Sequence, residues 1–84
     1  MTYAVIILRR AQKELSALPQ DAYGRIRDSI LELAQEPRPN SSKKLAGRSG
    51  WRLRAGAYRV VYEIEDGSRV IAIMHIVYRR DVCR

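Results

Sequence analysis

The chain opens on a short apolar run rich in β-branched residues, "TYAVIIL" (2–8), which predicts a buried strand. The spacing then turns helical. Ala11, Leu15 and Leu18 stand at i, i+4 and i+7, a single stripe that Pro19 ends. Asp21 is placed to cap a second helix, on which Ala22, Ile26, Ile30, Leu33 and Ala34 share one face. "EPRPN" (36–40) stops that helix, because proline disfavours the helical conformation in the residue before it. Two helices with one apolar face each predict a helical hairpin.

Residues 40–50, "NSSKKLAGRSG", read as a polar loop, and beyond it the period changes to two. Trp51–Arg54 alternates, "AGA" turns, Ala57–Ile64 gives a second strand, and "EDGS" signals a hairpin into a strand over Arg69–Val77. The tail "YRRDVCR" is expected to leave the sheet. The order predicts an α+β fold: an N-terminal strand, a helical hairpin, then a three-strand antiparallel meander, all in one domain over 1–84. Helices and sheet must bury their apolar sides against each other, leaving the other sheet face to solvent.

The formal charge of +7 on 84 residues changes this picture, because it implies a polyanionic partner. No acid occurs between Glu36 and Glu63, whereas Arg38, Lys43, Lys44, Arg48, Arg52, Arg54 and Arg59 all do. A patch of this kind is the footprint expected of a nucleic-acid site. Alternation puts Arg52 and Arg54 on one side of their strand, with Arg59 across the turn and Arg79 at the end of the last strand. Guanidinium forks fit phosphate oxygens bidentately, so the group reads as a phosphate clamp. The alternative is a solvated face, or arginines paired with Glu63, Glu65 and Asp66.

Other chemistry is sparse. His75 lies mid-strand among apolar residues, with no carboxylate nearby in sequence to orient it, and reads as a partly buried structural histidine. One cysteine, Cys83, and one histidine make no metal site, and no phosphate-cradling glycine loop occurs. No cofactor is expected. "YAVIIL" is too short for a signal-peptide core and no run approaches the roughly 18 apolar residues of a membrane span, so a cytoplasmic setting is expected.

"LAGRSGWRLRAGAYRVVYEIEDGSRVIAIMHIVYRRDVCR" resembles the second half of RelE-type toxins of toxin–antitoxin pairs. The motifs that carry the match are the basic strand, "GAYRVVYEI" and "YRRDV", and the strand and helical hairpin before them agree. The resemblance implies a RelE-like β-α-α-β-β-β domain and metal-independent endonucleolytic cleavage of mRNA on the ribosome. It carries catalytic roles to Arg52, Arg54, Arg59 and Arg79, and implies a cognate, RelB-like antitoxin. Lys43, Lys44, Arg48 and Arg80 are the expected further RNA contacts. Arg52 and Arg54 replace lysines of the best-studied member. Cys83, a further catalytic candidate, stands where a stacking tyrosine is expected: either it merely replaces the ring, or its thiol, among Arg79, Arg80 and Arg84, serves as a base. ParE-type toxins share much of the pattern, so inhibition of DNA gyrase without nuclease activity is the alternative. A basic RNA-binding module without toxicity fits less well, because the chain lacks an aromatic stacking platform.

Overall fold

The computed structural model describes residues 2–47 and 49–78. Strand β1 (Ala4–Ile7) leads into helices α1 (Arg9–Ser16) and α2 (Gln20–Leu33), followed by β2 (Ser42–Lys44), β3 (Trp51–Ala55), β4 (Tyr58–Glu65) and β5 (Val70–Tyr78). The strands form one five-stranded sheet in the order β1-β5-β4-β3-β2. All neighbours are antiparallel except β1, which lies parallel to β5 with Ala4 opposite Val70 and Ile7 opposite Ile73. The expected α+β architecture is therefore present, with one strand more than the hydropathy pattern showed.

That extra strand is β2, in the stretch read as loop. It has only three residues, all polar, so no alternation of burial announces it. It forms because the chain returns alongside β3, with Lys43 opposite Arg52 and Lys44 opposite Trp51.

The helical hairpin covers one face of the sheet, as its apolar stripes require. Ala11 and Leu15 of α1 and Ile26, Ile30 and Leu33 of α2 are buried with Leu53, Ala55, Val60, Tyr62, Ile71, Ile73 and Ile76 of the sheet. Each fully buried valine, leucine or isoleucine of this set stabilises the fold by about 1.5–3 kcal/mol. Pro19, rather than Asp21, occupies the N-cap of α2 and no side chain caps it. Asp21 instead sits in the first turn, where its carboxylate faces the positive end of the helix dipole.

Two irregularities shape the opposite face. Gly56 turns β3 into β4 with φ 61°, in the left-handed region that favours glycine. A bulge interrupts the β4–β5 ladder: Val61 faces His75 but Tyr62 faces Ile73, so Met74 is the supernumerary residue.

Candidate functional site

The face of the sheet turned away from the helices carries the basic residues. Leu53 and Ala55 are buried, so the alternate positions Arg52 and Arg54 point outward. Val60 and Tyr62 are buried likewise, which turns Arg59 and Val61 outward on the neighbouring strand. The register sets Arg54 directly opposite Arg59, and Lys43 directly opposite Arg52. Opposed positions hold their Cβ atoms roughly 4.5–5.5 Å apart, and like charges there destabilise a sheet. Two such pairs lie side by side.

These four side chains and Ser41 line an open cleft of about 110 Å³. None of the four cations pairs with a carboxylate among the described residues. Asp66 makes its ion pair elsewhere: its carboxylate accepts from Arg38 Nη2 at 2.8 Å and from the Tyr3 hydroxyl at 2.7 Å. Arg38 holds the Asp66 carboxyl below the usual carboxylate range, helped by Tyr3. Arg38 thus leaves the patch in which the sequence had placed it. Its guanidinium also lies over Trp51, 5.2 Å from the ring centroid, with the Lys44 ammonium 5.7 Å from the same centroid.

The structure therefore brings Arg52, Arg54, Arg59 and Lys43 together and separates Lys44, which sits at the Trp51 end of the sheet. Arg48, Arg79, Arg80 and Cys83 lie outside the described residues. Ser41 joins the cleft without any signal in the sequence, since a hydroxyl in a polar loop resembles any other. The carboxylate missing beside His75 is supplied by α1: Glu14 Oε2 is 3.4 Å from His75 Nδ1. A contact spanning 61 positions has no local sequence signature.

The sheet is thus backed by a helical hairpin on one face and carries on the other an arginine cleft that no described carboxylate neutralises. The model of the ParE toxin of type II toxin–antitoxin systems matches residues 5–82. The chain belongs to this family of toxins. A RelE–RelB complex from Pyrococcus horikoshii contains a chain 34% identical, with a TM-score of 0.83, covering 94% of this chain and 97% of that one. The RelBE2 toxin–antitoxin complex of Mycobacterium tuberculosis gives 24% identity and a TM-score of 0.85 over 94% of this chain and 100% of its own. The isolated RelE toxin of E. coli gives 23% identity and a TM-score of 0.79 over 90% and 83%. The last two show the shared fold. No curated protein sequence matches the chain. The protein is a toxin of the RelE/ParE superfamily, and among its described residues no helix is long and apolar enough to cross a membrane.

Proposed function

We propose that this toxin cleaves mRNA on the ribosome, with Arg52, Arg54 and Arg59 clamping the scissile phosphate and Lys43 holding the adjoining backbone. The observation that supports this reading is the cleft itself: four cations on two opposed pairs, with no carboxylate paired to them among the described residues. Repulsion between opposed like charges destabilises the fold, and a bound phosphodiester relieves it. In such cleavage the ribose 2′-hydroxyl attacks the adjacent phosphorus, and the 5′-oxygen of the next nucleotide leaves. Fixed guanidinium groups align that attack and neutralise the charge that grows on the phosphate. Arg79, by resemblance, stabilises or protonates the reacting phosphate. Cys83 replaces the stacking tyrosine.

The proposed partner is a RelB-like antitoxin, since toxin–antitoxin complexes of the RelBE kind with the same fold are known from four organisms among the solved structures. A second reading has support of its own: the matching family model is described as ParE. On that reading the same fold inhibits DNA gyrase and the arginines make protein contacts.

Primer extension on ribosome-bound mRNA tests the two. New 5′ ends within the coding region, absent with Arg59→Ala, support the nuclease. Intact mRNA together with loss of supercoiling by purified gyrase supports the alternative. In a cleaving protein, Cys83→Tyr is expected to raise the rate, because a ring that stacks on a nucleotide contributes roughly 1–3 kcal/mol. If Cys83→Ser instead abolishes cleavage, the thiol has a chemical role and the lost-stacking account fails.

A further inference from the structure

The bulge in β5 has a specific effect on His75. Ile71 and Ile73 are buried, so strict alternation would direct residue 75 into the core as well. Met74 is the extra residue, and it shifts the phase by one: Ile76 becomes the buried position, and His75, opposite Val61, turns to the outer face. Bulges of this kind re-aim side chains beside active sites. Here the re-aimed side chain is an imidazole, and it arrives beside the arginine cleft. Arg59 is opposite Val77, so His75 is its diagonal neighbour across β4 and β5, roughly 7–8 Å away. Arg52 lies opposite Val61 on the other side of the same strand. Val61 is therefore a small aliphatic seat flanked by Arg52, His75 and, two residues along β4, Arg59.

The imidazole is also held. Strand β1 pairs with β5 only as far as Ile73, so among the described residues the edge of β5 beyond it has no strand partner. Glu14 of α1 fills this gap. Its Oε1 accepts the Ile76 backbone N–H at 2.8 Å, which fixes the carboxylate at the edge. Its Oε2 then faces His75 Nδ1 at 3.4 Å, with Arg10 Nε 3.6 Å from the same oxygen. A carboxylate that accepts from Nδ1–H selects the tautomer whose Nε2 carries a free lone pair. Both side chains remain reachable, with exposures of 29% for His75 and 25% for Glu14. The other charged residues near His75 by position are its diagonal neighbours on β4, Arg59 and Glu63, and Arg10 of α1, which shares the Glu14 carboxylate. Strand β1, "AVII", contributes none.

Accepting the cleavage reading above, on which this rests, the geometry points to His75 as the catalytic proton acceptor and Glu14 as its positioning residue. With the phosphodiester over Val61, Nε2 of His75 takes the proton of the 2′-hydroxyl. The 2′-oxygen forms its bond to phosphorus as the bond to the 5′-oxygen breaks. That 5′-oxygen takes a proton from water on the open face, and the imidazolium returns its proton to solvent. The products are a 2′,3′-cyclic phosphate and a free 5′-hydroxyl.

Single-turnover cleavage of ribosome-bound mRNA as a function of pH is the test, with binding measured separately on mRNA carrying a 2′-deoxy residue at the cut site. His75→Gln is expected to slow cleavage by about 10²-fold or more, leave binding unchanged, and remove the limb that a titrating base gives the pH–rate profile. In His75→Ala, added imidazole should restore part of the rate, which a purely structural loss would not permit. Glu14→Gln keeps an oxygen for the Ile76 N–H, and should move the limb while slowing cleavage less than His75→Gln. His75→Gln cleaving within twofold of the parent, with the parent's pH profile, overturns the assignment while leaving the nuclease reading intact. A parent that leaves mRNA uncut overturns both.

Discussion

Arg59 does two opposing things. It faces Arg54 directly across the ladder, and its guanidinium lines the cleft. Like charges so placed destabilise a sheet by a few tenths to about 1 kcal/mol, so Arg59→Ala is expected to melt at a slightly higher temperature than the parent. The same change should abolish growth inhibition, since loss of one clamp group removes on the order of 3 kcal/mol of transition-state stabilisation. A folded Arg59→Ala protein that stays fully toxic would place the site elsewhere. Tyr62 gives the converse case, where the residue serves the fold alone. Its buried hydroxyl donates to the Pro37 carbonyl at 2.7 Å, tying the end of α2's exit loop to the centre of the sheet. Tyr62→Phe should lose about 0.5–1.5 kcal/mol in urea unfolding with toxicity unchanged. Burial pushes the Tyr62 phenol up from its ordinary value, partly opposed by Ser42 and Arg38. Its contribution is therefore complete below the ordinary tyrosine range and lost as pH rises through the folded value, an alkaline loss that Tyr62→Phe should not show.

Among the elements, the β3–β4 hairpin is the one that makes the basic cleft, because it sets three arginines on one face. Gly56 at its tip has φ 61°, and a Cβ there would stand 2.8 Å from Arg25 Nη1. The guanidinium is the free end of a long side chain and can yield, whereas the left-handed backbone cannot be relieved. Gly56→Ala should thus cost about 1–2 kcal/mol by thermal unfolding, and an unchanged melting temperature would show that the turn readjusts. This hairpin was legible in the sequence, since "WRLRAGAYRVVYE" alternates and its turn carries the necessary glycine. Helices α1 and α2 were legible for the same reason, from Ala11 and Leu15 and from Ile26, Ile30 and Leu33. Strand β2 was not, because its pairing is dictated by β3 and leaves no pattern in "SKK". The facing of His75 was also hidden: reading it requires the bulge at Met74, and a bulge is a property of two strands in register.

At the scale of the molecule, one exposed polar tie joins three separate parts of the chain. Tyr3 precedes β1, Arg38 follows α2, and Asp66 lies in the turn between β4 and β5. The Asp66 carboxyl is held low by Arg38 first and Tyr3 second, so its contribution to stability is present above the ordinary carboxylate range. That contribution disappears as pH falls through the folded value. Melting temperature followed from neutral to acid pH should show the parent above Asp66→Asn at neutrality and the two curves converging in acid. Parallel curves would mean that the tie adds nothing. The whole molecule's charge of +7, set against a free arginine cleft, bears on capture by the proposed antitoxin. If an acidic segment of the antitoxin covers the cleft, its association rate should fall steeply as salt rises, and a salt-independent rate would rule out charge-led encounter.

The parallel pairing of β1 with β5 also governs when the protein can come into being. Among the described residues, β1 precedes every other element in the chain and its one strand neighbour is β5, which follows all the others. Ile71, Ile73 and Ile76 of that last strand are central to the apolar interior, and the gap that Glu14 fills exists only on β5. Until β5 has emerged, β1 has nothing to pair with and α1 has no sheet edge to cap. Contacts of such long sequence separation form late and slowly. Vectorial synthesis thus leaves the sheet incomplete until β5 has been made, however early β1 and the helices appear.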